Sequence, residues 1–165
     1  KQMSKKVKEE RTNAVRIVAA KKIPYTIHRY DVTDGFLSGA DAAEKTGMNP
    51  GTVFKTLVLK GHSGEHYVCV IPVLCELDLK KAARFFQEKN VEMVHVKELL
   101  PLTGYVKGGC SPVGMKKPFP TAFHVTAREL EKMCVSGGKV GLQMELPPLP
   151  LAELIGAEFA DLVKE

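Results

Sequence analysis

The stretch TVFKTLVLKGHSGEHYVCVIPV, residues 52–73, decides the fold. Two β-favouring runs, 52–60 and 66–73, flank Gly61-His62-Ser63-Gly64-Glu65, which reads as a turn, so the stretch predicts a hairpin of antiparallel strands. Between positions 53 and 59 only Lys55 and Thr56 interrupt the apolar residues, and a strand of that composition is expected to be buried. By alternation Lys55 shares a face with Val53, Leu57 and Leu59, so its ammonium either snorkels out to solvent or points into a cavity. Lysine is rarely buried without a partner, which makes Lys55 the first candidate functional residue, a cation for a phosphate or a polarised carbonyl. In the second run Cys69 reads as a small buried hydrophobe.

Upstream of the hairpin, Val15, Val18 and Ala19 have helical spacing from Asn13 onward, and the pattern stops at Ile23-Pro24 because proline disfavours a helical residue before it. Residues 25–30 alternate as a strand, 31–39 are turn-rich, 40–46 form a short helix closed by Gly47, and Asn49-Pro50-Gly51 marks a turn. Downstream, Asp78 is a helix N-cap, and Leu79, Ala82, Ala83 and Phe86 follow at amphipathic spacing in a helix reaching residue 89. Residues 91–94 suggest a short strand, and 95–100 a helical turn ended by Pro101. Segments 105–114, 122–125 and 140–146 read as strands or loops between strands, with a short helix over 127–132 and a last helix using Leu151, Ile155, Phe159 and Leu162. Helices and strands mix without the regular alternation of a doubly wound parallel sheet. The expectation is an α+β fold, a mixed β-barrel-like sheet with flanking helices. It forms one domain over residues 13–165, preceded by a basic flexible N-terminus over 1–12.

The net charge of +5 is unevenly spread. Residues 1–22 carry eight basic and two acidic side chains, and the rest carries sixteen basic and seventeen acidic ones. The body is near neutral, and the basic surplus belongs to a solvated leading segment rather than to a broad nucleic-acid footprint. At 44% hydrophobic and 26% charged the composition excludes a disordered class. No run approaches the roughly 20 apolar residues that span a bilayer, so neither a membrane partner nor a signal segment is expected. Four cysteines, at 69, 75, 110 and 134, form no CxxC pair and have no histidine at zinc-ligand spacing, and His62 and His66 straddle a turn. No metal is expected, and reduced thiols fit the cytoplasm.

Two glycine-rich segments remain, residues 107–114 and 136–139. Each is either a tight turn or a place where backbone N–H groups approach a ligand. The first is not a phosphate-binding Walker loop, because Met115 stands where the lysine must be.

Lys55-Thr56-Leu57, Leu77-Asp78-Leu79-Lys80-Lys81, Thr103-Gly104-Tyr105, Gly108-Gly109, Ser111-Pro112 and Ser136-Gly137-Gly138-Lys139 stand in the order and spacing of the YbaK/EbsC family, which this chain resembles over residues 13–163. The resemblance implies the fold of the editing domain inserted in bacterial prolyl-tRNA synthetases. It also implies a trans-editing deacylase that removes cysteine from mischarged tRNA(Pro) without a cofactor, with the substrate's own thiol or ribose hydroxyl assisting. Its partners would be the tRNA(Pro) acceptor end and, as a second suggestion, prolyl-tRNA synthetase. Lys55 matches the family's essential lysine, which would hold the terminal adenosine or its phosphate and orient the ester. Tyr25, Thr56, Gly109 and Ser136 match other pocket positions. Gly109 would offer its N–H to the ester carbonyl, Ser136 would bind the substrate end, and Tyr25 would wall the pocket. Where family members often carry an aspartate, this chain has Gln143, a neutral acceptor for the substrate's α-ammonium. Three rival readings are a thiol hydrolase using Cys110, a deacylase for another small aminoacyl-tRNA such as alanyl-tRNA(Pro), and a non-catalytic binder of tRNA ends or nucleotides.

Overall fold

The computed structural model describes residues 11–31 and 39–165. Residues 1–10 of the expected flexible N-terminus and 32–38 of the turn-rich segment lie outside the described residues.

The hairpin forms as its sequence predicts. Strands β2 (Phe54–Gly61) and β3 (His66–Pro72) pair antiparallel, with Lys55 opposite Ile71 and Lys60 opposite His66. Alternation sends Phe54, Val58, Val68 and Val70 into the main core, and Leu59, Tyr67, Cys69 and Ile71 into a second cluster with Leu77, Ala82 and Ala83. Burial on both faces is what an almost continuous apolar run demands. Helix α3 (Leu79–Phe86) starts where Asp78 accepts the Lys80 and Lys81 N–H groups at 3.0 and 3.1 Å.

Around the hairpin stands a five-stranded mixed sheet in the order β4-β2-β3-β5-β8, where β4 is Val91–Met93, β5 Thr121–His124 and β8 Glu158–Ala160. β4 is antiparallel to β2, whereas β5 lies parallel to β3 and β8 parallel to β5. A second, three-stranded antiparallel sheet runs β1-β7-β6, from Thr26–Arg29, Leu142–Leu146 and Met133–Lys139. One parallel bridge, Val53 with Cys134, joins the start of β2 to β6, so the sheets curl around the main core as an open, barrel-like wall. Helix α1 (Asn13–Ala20) packs Ala14, Val15 and Val18 onto that core. Its cap Thr12 accepts the Val15 N–H and donates its hydroxyl to the Gly137 carbonyl. Helix α2 (Gly39–Thr46) precedes β2.

Several elements differ from expectation: α3 stops at Phe86, where Gln87 turns left-handed, and not at residue 89, and Val125–Glu129 forms a short 3-10 turn in place of the helix expected over 127–132. Helix α4 (Val96–Thr103) runs through Pro101 and ends at Gly104, with φ 87°, because the Thr103 hydroxyl donates to the Leu99 carbonyl and the Gly104 N–H to that of Leu100. The final helix, α5 (Pro148–Ile155), stops at Gly156 in the left-handed conformation. Phe159 then lies in β8 and Leu162 is buried beyond it, although their spacing from Leu151 and Ile155 looks helical. Ser136-Gly137-Gly138-Lys139 is the irregular end of β6, bulged between Ser136 and Lys139.

Candidate functional site

The pairing of β2 leaves a gap. On its outer edge β4 covers only Leu59, Lys60 and Gly61, with the Val94 N–H donating to the Val58 carbonyl at 3.1 Å, and the one bridge to β6 is made at Val53. Because carbonyls alternate sides along a strand, the main-chain N–H and C=O of Thr56 face the same edge as the Val58 carbonyl, where no strand pairs with them. A cleft of about 470 Å³ occupies this gap, in the range of small-molecule sites. β2 forms its floor, Val96 and Leu99 of α4 one wall, Ser136 of β6 and Gln143 of β7 the other, and Lys107, Gly108 and Cys110 close the top.

The segment carrying Lys107 to Cys110 is held by its neighbours in sequence. Thr103 accepts the Tyr105 N–H at 3.0 Å, the Tyr105 hydroxyl donates to the Val113 carbonyl, and Ser111 accepts the Val113 N–H at 3.2 Å. The Thr-Gly-Tyr and Ser-Pro motifs therefore shape this segment rather than contact a ligand. Gly109 is needed for the same purpose. A Cβ there would stand 2.8 Å from Lys139 Cα and from the Val140 nitrogen, so the two glycine-rich segments meet backbone to backbone. The Gly109 N–H donates to the Val106 carbonyl at 2.9 Å. That bond corrects the expectation that it is aimed at an ester.

Of the other expected site residues, Lys55, Thr56, Ser136 and Gln143 come together in the cleft. Among the described residues the Lys55 ammonium has no hydrogen-bond or ion-pair partner, and the Thr56 hydroxyl oxygen is buried without one. Ser136 and Gln143 face each other across β6 and β7. Ser136 accepts the Gly138 N–H at 3.1 Å, which leaves its hydroxyl proton to donate. Tyr25 stands apart from the lining, half-buried against the main core. Tyr30, at the end of β1, lines the cleft instead, its N–H bound to the Gly141 carbonyl. Sequence reasoning also missed His95 and the α4 wall, and only the amphipathic spacing of Val96, Leu99 and Thr103 hinted at them.

Lys55, Lys107 and His95 line the cleft, and among the described residues no Asp or Glu does. Its chemistry is that of a receptor for phosphate, ester and hydroxyl oxygens. Cys110 is there too, but burial pushes its thiol up to about 12, so at neutral pH it carries its proton and lacks the thiolate a nucleophile needs. Among the described residues no cluster of three or more metal-ligating side chains occurs, and no described helix is long and apolar enough to cross a membrane.

A mixed sheet curled around an open cleft lined by lysines and by no carboxylate among the described residues suits a ligand rich in anionic or carbonyl oxygens. The model of the aminoacyl-tRNA editing domain matches residues 36–154, and the chain belongs to that family. A protein of Enterococcus faecalis, provisionally named as the Cys-tRNA(Pro)/Cys-tRNA(Cys) deacylase EbsC, is 43% identical over 160 residues, covering 97% of this chain and 98% of its own. A crystal structure provisionally described as a trans-editing enzyme for prolyl-tRNA synthetase superposes with a TM-score of 0.79 at 25% identity, over 95% of this chain and all of that one. A hypothetical protein with a TM-score of 0.83 at 23% identity, covering 93% of this chain and 100% of its own, shares the fold.

Proposed function

We propose that this chain removes cysteine from mischarged tRNA(Pro) by substrate-assisted cleavage of the ester. The observation that carries the reading is Lys55, which lines the cleft on β2 and whose ammonium has no protein partner among the described residues. A half-buried lysine among apolar residues normally has a partner, so an unmatched ammonium of this kind marks where a polar ligand completes the site.

In this reading Lys55 binds the phosphate or ribose of the terminal adenosine and holds the ester in the gap beside β2. Thr56 supplies its unpaired strand edge. Ser136 donates to the aminoacyl end, and Tyr30, with the apolar wall of α4, encloses the side chain. Gly109 holds the top of the cleft in place. Tyr25 matches a family pocket position but supports the site from the core side.

The cysteinyl thiol supplies the nucleophile on one route. Its sulfur attacks the ester carbonyl, the bond to the ribose oxygen breaks, and the thiol proton passes to that oxygen, leaving free tRNA and a cyclic thioester. On the other route water adds at the carbonyl, assisted by the ribose hydroxyl, and free cysteine leaves. The first makes the chain a lyase, the second a hydrolase. The four free thiols fit cytoplasmic work on tRNA, and the near-neutral body supports modest tRNA affinity reinforced by a partner such as prolyl-tRNA synthetase.

Single-turnover reactions with cysteinyl-, alanyl- and prolyl-tRNA(Pro), with the released compound identified by mass spectrometry, test the reading. Cysteine is expected to leave fastest, alanine more slowly because a pocket that admits cysteine excludes a smaller side chain only weakly, and proline least. tRNA binding with no release from any of the three would make the chain a non-catalytic binder.

A further inference from the structure

Gln143 sits where the cleft meets the buried end of β6, and its partner on the buried side is a thiol. Cys134 Sγ lies 3.0 Å from Gln143 Oε1, and neither the cysteine, at 0% exposure, nor the glutamine, at 7%, has room to rearrange freely. The thiol is packed among Ala43, Val53 and Val73. Burial, reinforced by the charge of Glu145, pushes it up to about 12, so it keeps its proton and acts as the donor.

A primary amide that accepts on its oxygen must present its NH2 the other way. Gln143 lines the cleft, and among the described residues its nitrogen has no hydrogen-bond partner. It is also not among the fully enclosed unsatisfied atoms, so it retains contact with the cleft.

We propose that Cys134 is a positioning residue that holds the Gln143 amide with its two N–H donors facing the cleft, so that Gln143 binds a substrate oxygen and not the α-ammonium. This rests on the reading of the cleft as a deacylase site. It reverses the role expected of Gln143 from sequence, where it stands as a neutral acceptor. The oxygens available on an aminoacylated terminal adenosine are the ester carbonyl and the ribose and phosphate oxygens, all suited to a site lined by Lys55 and Ser136. The ammonium is left to the unpaired Thr56 main-chain carbonyl.

The test compares wild type with Cys134→Ala, Cys134→Ser and Gln143→Glu in two measurements. The first is the side-chain amide signal of Gln143 in 1H–15N spectra of the free protein, assigned by its loss in Gln143→Glu. One sharp, slowly exchanging pair is expected in wild type and Cys134→Ser, and a broadened or doubled, faster-exchanging pair in Cys134→Ala. The second is single-turnover deacylation of cysteinyl-tRNA(Pro). Cys134→Ala should raise the half-saturating concentration about fivefold, the worth of one modest hydrogen bond, with serine restoring it. Gln143→Glu should raise it about tenfold or more by turning a donor into an anion beside oxygen-rich substrate. Identical amide signals in wild type and Cys134→Ala would overturn the positioning claim, and tighter binding by Gln143→Glu would assign the position to the ammonium. Absence of deacylation by wild type would remove the functional reading and leave the amide signals to decide whether Cys134 orients Gln143.

Discussion

At Gly109 a single added carbon would collide at 2.8 Å with the main chain of Lys139 and Val140, and backbone cannot turn aside as a flexible side chain does. Gly109→Ala is therefore expected to destabilise by about 1–3 kcal/mol and to displace the top of the cleft, lowering deacylation beyond what the stability loss explains. Gly51→Ala is the control, since its added carbon meets only the Asn49 side chain at 3.4 Å. Thermal melts and single-turnover rates on both variants check this, and equal effects would refute it. Lys55 was legible because an isolated charge in an apolar strand needs a reason. Thr56 was legible only through its neighbour, since a threonine in a strand is ordinary. Tyr30 and His95 carry no local signal of function, and Lys107 shows only as the start of a glycine-rich segment. Three separate segments bring them together, and no window of sequence holds that information.

Helix α3 and the β2–β3 hairpin form the element whose signals agree at every level. Asp78 caps the helix through two N–H groups, and just beyond the helix Glu88 accepts from the Ser63 N–H and hydroxyl and from the Tyr67 hydroxyl, clamping the hairpin turn. These bonds, that of the Ser63 hydroxyl first, hold the Glu88 carboxyl below its ordinary range. Asp78→Ala should cost about 1 kcal/mol in urea unfolding, and Asp78→Asn much less, because asparagine caps nearly as well. Equal losses in the two variants would show that the cap is not what starts the helix. The elements that misled did so for related reasons. Leu151, Ile155, Phe159 and Leu162 keep helical spacing, but Gly156 ends the helix and Phe159 pairs with Phe123 in a parallel ladder. Two consecutive glycines made the end of β6 read as a tight turn or a ligand-approach segment, although they sit in the strand to admit Leu142 and Tyr105 at close range.

Across the whole molecule, the chain's last residues close the second core by polar contacts. The buried His124 accepts the Leu162 N–H on Nδ1 at 3.2 Å, and Lys81 binds Asp161 at 2.9 Å and the Val163 carbonyl at 2.8 Å. Desolvation lowers the His124 pKa, with Asp161 opposing and Lys81 assisting, and the Lys81 hydrogen bond lowers that of Asp161. A histidine kept neutral by folding contributes stability that is present above its unfolded value, near 6.5, and is lost as pH falls from there toward its lower folded value. Asp161 and Glu88 act in the same direction in more acid solution. Melting temperature should therefore fall from pH 8 to pH 5.5 more steeply in wild type than in His124→Asn, which keeps an acceptor that does not titrate, and parallel profiles would refute this. The α+β class and the open, barrel-like wall were legible from the mixed order of elements and the family motifs. The gap in β2's pairing was not, because it depends on how far β4 and β6 extend along the same edge. That gap holds Lys55, and the central claim is that its unpartnered ammonium drives deacylation. Single-turnover release of cysteine from cysteinyl-tRNA(Pro) by wild type and by folded Lys55→Ala tests it most directly. The account predicts a loss of about a hundredfold or more in the variant, and a variant that deacylates at the wild-type rate would contradict it.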